Sequence, residues 1–330
     1  MEIGKVPENI LKRSIFKKLS VQRDEVLYGP GLGEDCCVLQ FKAEDLVVLS
    51  TDPITGTVKE IGKLAMHITA NDVAASGASL VGVLLTLLLP EGFEEKELQV
   101  IMTDINDICK KMHVQVLGGH TEVTAAVNQP IISVTGVGKA TEASLTMTSA
   151  LEPGDDLVMT KWAGIEGTAI IALEKEEELL KTVKRSLVEE AKTYTDLISV
   201  VPDSLVAIQA GVKAMHDVTE GGIYGALWEM ASSAGVGFEV ELDAIPLKRA
   251  TIEICEYFAI NPYELISSGS MLISTEDGPA LVAAMAAAGI HSAHIGKVTE
   301  GNERLILGKD IRRTLRPPKA DELYKVVGSH

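Results

Sequence analysis

Hydrophobic residues in this chain recur at two spacings, and the two alternate along its length. Dense apolar runs predict strands: CCVLQF (Cys36 to Phe41), LVVLS (Leu46 to Ser50), Val81 to Leu89, VQVLG and IISVTGVG. The first two read as neighbours joined by the polar turn KAED. Apolar positions three and four apart predict helices over Lys59 to Ser76, ending at Gly77, and over Glu94 to Met112. Gly119 to Pro130 reads as an irregular loop. At Glu152 the pattern restarts, with EPGDDLVMT as a turn feeding a new strand. Helices follow near Thr168 to Lys192, Asp196 to Ala210 and Gly222 to Ala234, interleaved with strand-like VKAMHDV, GFEVEL, SMLIST and ERLILG. Strands alternating with helices indicate an α/β fold. The restart sets a boundary near Ser149 to Pro153 and hence two domains, 1–150 and 151–330.

Composition narrows this picture. Of 330 residues 46% are hydrophobic but only 4% aromatic, so the cores are expected to be aliphatic, as where helices cover a sheet. The longest apolar run, Leu80 to Leu89, is far short of the roughly 20 residues that span a bilayer. The N-terminal segment has no signal-peptide pattern, and a cytoplasmic location is expected. A net charge of −17 argues against nucleic-acid or anionic-membrane partners. It leaves room for a phosphate ligand screened by a divalent cation. Cys36, Cys37, Cys109 and Cys255 are expected to be free thiols filling small core positions.

Five segments carry candidate chemistry. Gly29-Pro30-Gly31-Leu32-Gly33-Glu34-Asp35 offers backbone N–H groups without side-chain obstruction and then a carboxylate, or else serves as a connector. In Ser50-Thr51-Asp52 an apolar run ends in a carboxylate, where α/β proteins present reactive groups and where Asp also forms turns. Helical spacing puts Ile61, Ala65, Ile68 and Asp72 on one core-facing stripe, with Asn71 beside it. A buried carboxylate there needs a metal, a cation or several N–H donors. Leu117-Gly118-Gly119-His120-Thr121-Glu122 runs a strand into a glycine turn, making His120 a metal ligand, a phosphate partner or a loop histidine. In His216-Asp217-Val218-Thr219-Glu220-Gly221-Gly222, Asp217 or Thr219 caps the next helix, or the helix start receives an anion.

The segments GPGLGEDCCVL, STDPIT, GKLAMHITANDVAASGA, GGHTE, EPGDDLVMTK, DVTEGGIYGALWEMA and NPYELISSGSMLIST, in this order, resemble the aminoimidazole ribonucleotide (AIR) synthetase superfamily. The resemblance covers nearly the whole chain. It implies a two-domain α/β fold: an N-terminal domain (1–150) that binds ATP and pairs in a homodimer, forming a barrel-like dimer core, and a C-terminal α/β domain (151–330). It further implies that Asp35, Asp52 and Asp72 hold magnesium on the phosphates. Gly31, Gly33, Asn71, Gly118, Gly119 and Thr121 would line the nucleotide, and Asp72, Asp217 and His120 would take part in catalysis. His120 stands where several branches carry an acidic residue.

Among the branches, the segments look most like the hydrogenase-maturation type, HypE. That branch ends in a cysteine that accepts a carbamoyl group. Here the sequence ends Val326-Val327-Gly328-Ser329-His330 and its last cysteine is Cys255. The expectation is therefore HypE-like, ATP-dependent activation of a small amide-like or carbamoyl phosphate acceptor, without a C-terminal acceptor cysteine. A partner protein, as in hydrogenase maturation, is implied as well. The alternatives are a nucleotide-binding regulator without turnover, or a small-molecule kinase or purine-type synthetase of the same superfamily.

Overall fold

The computed structural model describes residues 1, 3–31, 36–54 and 60–327. The chain folds as two compact units, Met1–Val73 with Ala78–Ala143, and the residues from Ser144 onward with Ala74–Gly77.

The first unit contains strands β1 (Gly4–Lys5), β2 (Val26–Tyr28), β3 (Val38–Leu39), β4 (Leu46–Ile54), β5 (Ser79–Leu89), β6 (Gln115–Val123) and β7 (Ile131–Ala140). Its helices are α1 (Glu8–Ile10), α2 (Ile61–Ala75) and α3 (Glu95–Met112). Five strands form one sheet in the order β1-β6-β5-β7-β4. The sheet is open, with β1 and β4 at its edges. Parallel β5 and β6 are joined through α3, the crossover that parallel pairing demands. That helix is sharply delimited. Glu94 and Glu97 form a reciprocal capping box at its start, and His113 adopts the left-handed conformation (φ 54°) at its end.

On the inner face of the sheet, Val83, Leu85, Leu87 and Leu89 alternate into a core with Met66, Leu98, Met102 and Ile105 from α2 and α3. Helix α2 lies close on β7 because Gly136 has no side chain there; a Cβ would stand 2.6 Å from Thr69 Cγ2.

Two strand expectations change. CCVLQF and LVVLS are not neighbours. Only Val38–Leu39 of the first is a strand, and it pairs with β2 in a separate two-stranded sheet, while β4 pairs with β7. The strand VQVLG does not stop at Gly118 but runs on to Val123, because β5 continues beside it to Leu89. Of the residues read as a glycine turn and loop, Gly119 to Val123 therefore belong to a strand, and Thr124 to Pro130 are irregular as expected.

The second unit contains β8 (Asp156–Thr160), β9 (Ala214–Val218), β10 (Gly237–Glu241), β11 (Ser270–Thr275), β12 (Ser292–Thr299), β13 (Arg304–Gly308) and β14 (Ile311–Thr314). They make one sheet in the order β14-β13-β10-β12-β8-β11-β9. Its helices are α4 (Ile165–Glu174), α5 (Glu176–Leu179), α6 (Arg185–Lys192), α7 (Val201–Gln209), α8 (Gly222–Ala234), α9 (Arg249–Phe258) and α10 (Gly278–Ala287). The single helix expected over Thr168 to Lys192 is thus broken into three. Among the described residues no helix is long and apolar enough to cross a membrane.

Candidate active site

Alternation along β4 decides which of its polar residues face the core. Val47, Leu49, Thr51 and Pro53 point outward, while Val48, Ser50, Asp52 and Ile54 face the helices. Asp52 is therefore inside the strand, opposite Val134 of β7, and not beyond a strand end as its apolar prefix suggested. Helix α2 brings Asp72 over this face. The Ser50 hydroxyl donates to Asp72 Oδ2, and it also lies 3.3 Å from Asp52 Oδ2. Two half-buried carboxylates thus converge on one hydroxyl. Along the expected stripe Ile61 and Ala65 are buried, whereas Ile68 and Asp72 are only partly so. The neighbouring Asn71, like Thr69, is a fully buried polar residue of the helix.

A cavity of about 520 Å³ lies on the same unit. Gly31, Gly118, Gly119, His120 and Thr121 all line it, together with Cys36 and Cys37. Its volume is that of a small-molecule site. The strand placement of these residues has its own cause. A bulge between β5 and β6 shifts the register after Val83, and Gly119 takes a φ of 146°. A Cβ at Gly119 would stand 1.9 Å from the Leu85 carbonyl oxygen, so that glycine serves strand pairing first. His120 is half exposed, with Nε2 3.1 Å from Glu122 Oε2. Asp52 and Gly119 share one row of the sheet through Val134 and Leu85. Three strand spacings put them about 14 Å apart.

The thiol expectation holds only for half the cysteines. All four are free; Cys109 and Cys255 are buried, and burial pushes each thiol up to about 12. Cys36 is exposed and Cys37 half-buried. Gly33 and Asp35 lie outside the described residues. Among the described residues no three potential ligands gather as a metal cluster.

Asp217 belongs to the second unit. It is the penultimate residue of β9, opposite Met271 of β11, and is not a helix cap. The N-cap of α8 is Gly221, in the left-handed conformation. The following Gly222 also has positive φ (60°), and a Cβ there would stand 2.6 Å from the Tyr263 carbonyl oxygen. Two buried acids missed in the sequence join Asp217. Glu166, in the first turn of α4, accepts from Ser268 N at 3.1 Å. Burial, reinforced by the charges of Asp321 and Asp217, raises its carboxyl to about 7. Asp321 accepts from Gly221 N at 2.7 Å and Leu323 N at 2.8 Å, and burial raises it as well. The signal for Glu166 was a lone acid in the small-residue run AGIEGTA; for Asp321 it was an acid just after a proline pair.

Comparison with known proteins assigns the lineage. Residues 33–140 match the family model "AIR synthase related protein, N-terminal domain", and residues 152–308 match its C-terminal domain. The chain belongs to the AIR synthase related family. Within it, the carbamoyl dehydratase HypE of Escherichia coli (strain K12) is 29% identical over 295 residues, covering 87% of this chain and 84% of that protein. The crystal structure of E. coli HypE, a hydrogenase maturation protein, superposes with a TM-score of 0.80 at 25% identity over 96% of this chain and 99% of that one. A HypE structure in complex with ATP shares the fold at a TM-score of 0.79 and 18% identity, over 97% of each chain.

Proposed function

We propose that this member of the family is an ATP-dependent, magnesium-requiring enzyme that activates a small carbamoyl or amide-like substrate by phosphoryl transfer. The observation that carries this reading is the convergence of Asp52 and Asp72 on the Ser50 hydroxyl. Magnesium commonly takes one or two carboxylates and completes its shell with phosphate oxygens and water, so this pair fits it. Asp35 is the further ligand that the family pattern assigns. Once bound, the ion would neutralise triphosphate charge and fix its orientation.

The chain's own groups then divide the work. Gly31 and Gly118 keep the cavity wall free of side chains, and Thr121 adds a hydroxyl to it. His120, held by Glu122, presents an imidazole at the same wall. Asn71 places a buried amide next to Asp72 on α2, and Asp217, in the second unit, is the acid that the family pattern assigns to catalysis there. The carbamoyl dehydratase and the ATP-bound HypE among the similar proteins support both the nucleotide and the acceptor class. Cys109 and Cys255 are buried thiols and unsuited to accept the carbamoyl group. On this reading the phosphate acceptor is a small carbamoyl or amide-like molecule, or a carbamoyl group delivered by a partner protein of hydrogenase maturation. Release of ADP from magnesium-ATP with a panel of carbamoyl and carboxamide compounds tests this reading. Asp72→Asn is expected to lower turnover at least about a hundredfold. Unchanged turnover in the variant would sink the assignment, and nucleotide binding without turnover of any compound would leave a regulator instead.

The outer face of edge strand β4 supports a homodimer. Val47 and Leu49 are exposed there, 52% and 67%, in a row continued by Thr51 and Pro53. An apolar edge of this kind is normally covered. Light scattering is expected to give twice the chain mass for the wild type and a monomer for Leu49→Lys; a monomeric wild type removes the proposal.

A further inference from the structure

The second unit holds a cavity whose charge runs against that of the chain. It has a volume of about 620 Å³, and its wall carries Arg313, Arg316 and Lys319 with Tyr224, Glu264 and Gly221. Among the described residues, none of those three cations has a carboxylate within 4.0 Å, in a protein with 17 surplus negative charges. These three cations line one solvent-open pocket.

The wall is also held in place. Arg313 Nη2 donates to the Tyr224 hydroxyl at 2.6 Å, and its guanidinium carbon lies 5.4 Å from the centre of that ring. Tyr224 is buried in the first turn of α8 and stacks on Tyr263 at 5.3 Å. The guanidinium is thereby tethered by one N–H, and its other donors remain for a ligand. The segment carrying Arg316 and Lys319 is fixed at both ends. Leu315 is buried and donates its N–H to the Arg304 carbonyl at 2.7 Å, while buried Asp321 accepts from Gly221 N. Pro317 and Pro318 stiffen the stretch between them.

We propose that this cavity binds a phosphate dianion, either free or carried on a small metabolite, through Arg313, Arg316 and Lys319. The charge balance selects the ligand: three cations against the single carboxylate of Glu264 are neutralised by a group bearing about two negative charges at neutral pH. A planar guanidinium fixed by an aromatic hydroxyl suits paired phosphate oxygens. The proposal rests on the second unit alone and does not depend on the reading of the carboxylate pair in the first.

Calorimetric titration of the full chain, saturated with magnesium-ATP and at matched ionic strength in KCl, tests it. One arm uses inorganic phosphate and the other glycerol 3-phosphate. Saturable binding of one ligand per chain is expected in at least one arm, and the tighter arm identifies the source. Arg313→Gln is expected to weaken binding by at least about tenfold. Arg312→Gln, whose side chain is exposed and not part of the wall, changes it by less than about twofold. Arg313→Lys, which keeps the charge, falls between them, and thermal melts of each variant verify folding. Equal losses in the Arg312 and Arg313 variants, binding that ignores Arg313→Gln, or no heat in either arm would each overturn the proposal.

Discussion

The two units handle acidic residues in opposite ways. In the first, Asp52 and Asp72 sit half-buried on the sheet's inner face, sharing one serine hydroxyl. In the second, Glu166, Asp217 and Asp321 are each at most 5% exposed, and backbone N–H groups hold Glu166 and Asp321. Solvent access decides what each set can do. A half-buried pair stays within reach of solvent and of a cation that keeps part of its own water shell. A buried set must either lose charge or gather donors, and Glu166, at about 7, sits on that boundary at neutral pH. Carboxylates that look alike in sequence are thus open to solvent in one unit, where we propose a cation, and enclosed in the other, where burial raises Glu166 and Asp321.

Glycines make the same contrast testable, with the largest effect. Gly119→Ala forces a methyl against the Leu85 carbonyl and is expected to cost more than about 3 kcal/mol in urea unfolding. Gly118→Ala meets only Leu84 Cδ2 at 3.4 Å, an ordinary contact, and is expected to cost no more than about 1 kcal/mol. Equal destabilisation by the two would mean that strand pairing does not explain Gly119. If both fold and both lose nucleotide, the cavity reading gains at the expense of the structural one.

A smaller effect probes the buried acids. Glu166 has its carboxyl raised in the folded state, from 4.5 to about 7, so the folded chain binds the extra proton between those values. Its ionisation therefore costs stability progressively as pH rises from about 4.5 to about 7, and fully above that. Glu166→Gln keeps the acceptor for Ser268 N and removes the ionisation. Relative to wild type, the variant is expected to gain on the order of 2–3 kcal/mol between pH 5 and pH 8, read as the change in the difference of urea unfolding free energies. A difference that stays flat with pH would mean that the site never ionises or never desolvates.

Much of the fold could be read from spacing. The α2 and α3 spans, β5 and the start of α8 follow local periodicity and stop signals, which short stretches carry by themselves. The ordered motifs also placed the chain in its family and singled out Asp52, Asp72, His120 and Asp217. What failed was every statement that depended on a distant strand. CCVLQF resembles a partner for LVVLS, yet β4 pairs with β7, some ninety residues later in the chain. GGHTE has the composition of a turn, but β5 holds it extended. Cys36 and Cys37 look like core residues by type and instead line a cavity.

The sequence by itself determined the aliphatic composition of the cores, the limits of α2 and α3, and Asp52, Asp72 and Asp217 as candidate acids, since these depend on residue type and near neighbours. Only the tertiary structure decided that Ser50 joins Asp52 to Asp72 and that Glu166 and Asp321 lie with Asp217. It alone tethered Arg313 to Tyr224, 89 residues apart in the chain. Each is a meeting of groups from separate elements, fixed by sheet order and register, and no local pattern encodes which strand will be the neighbour.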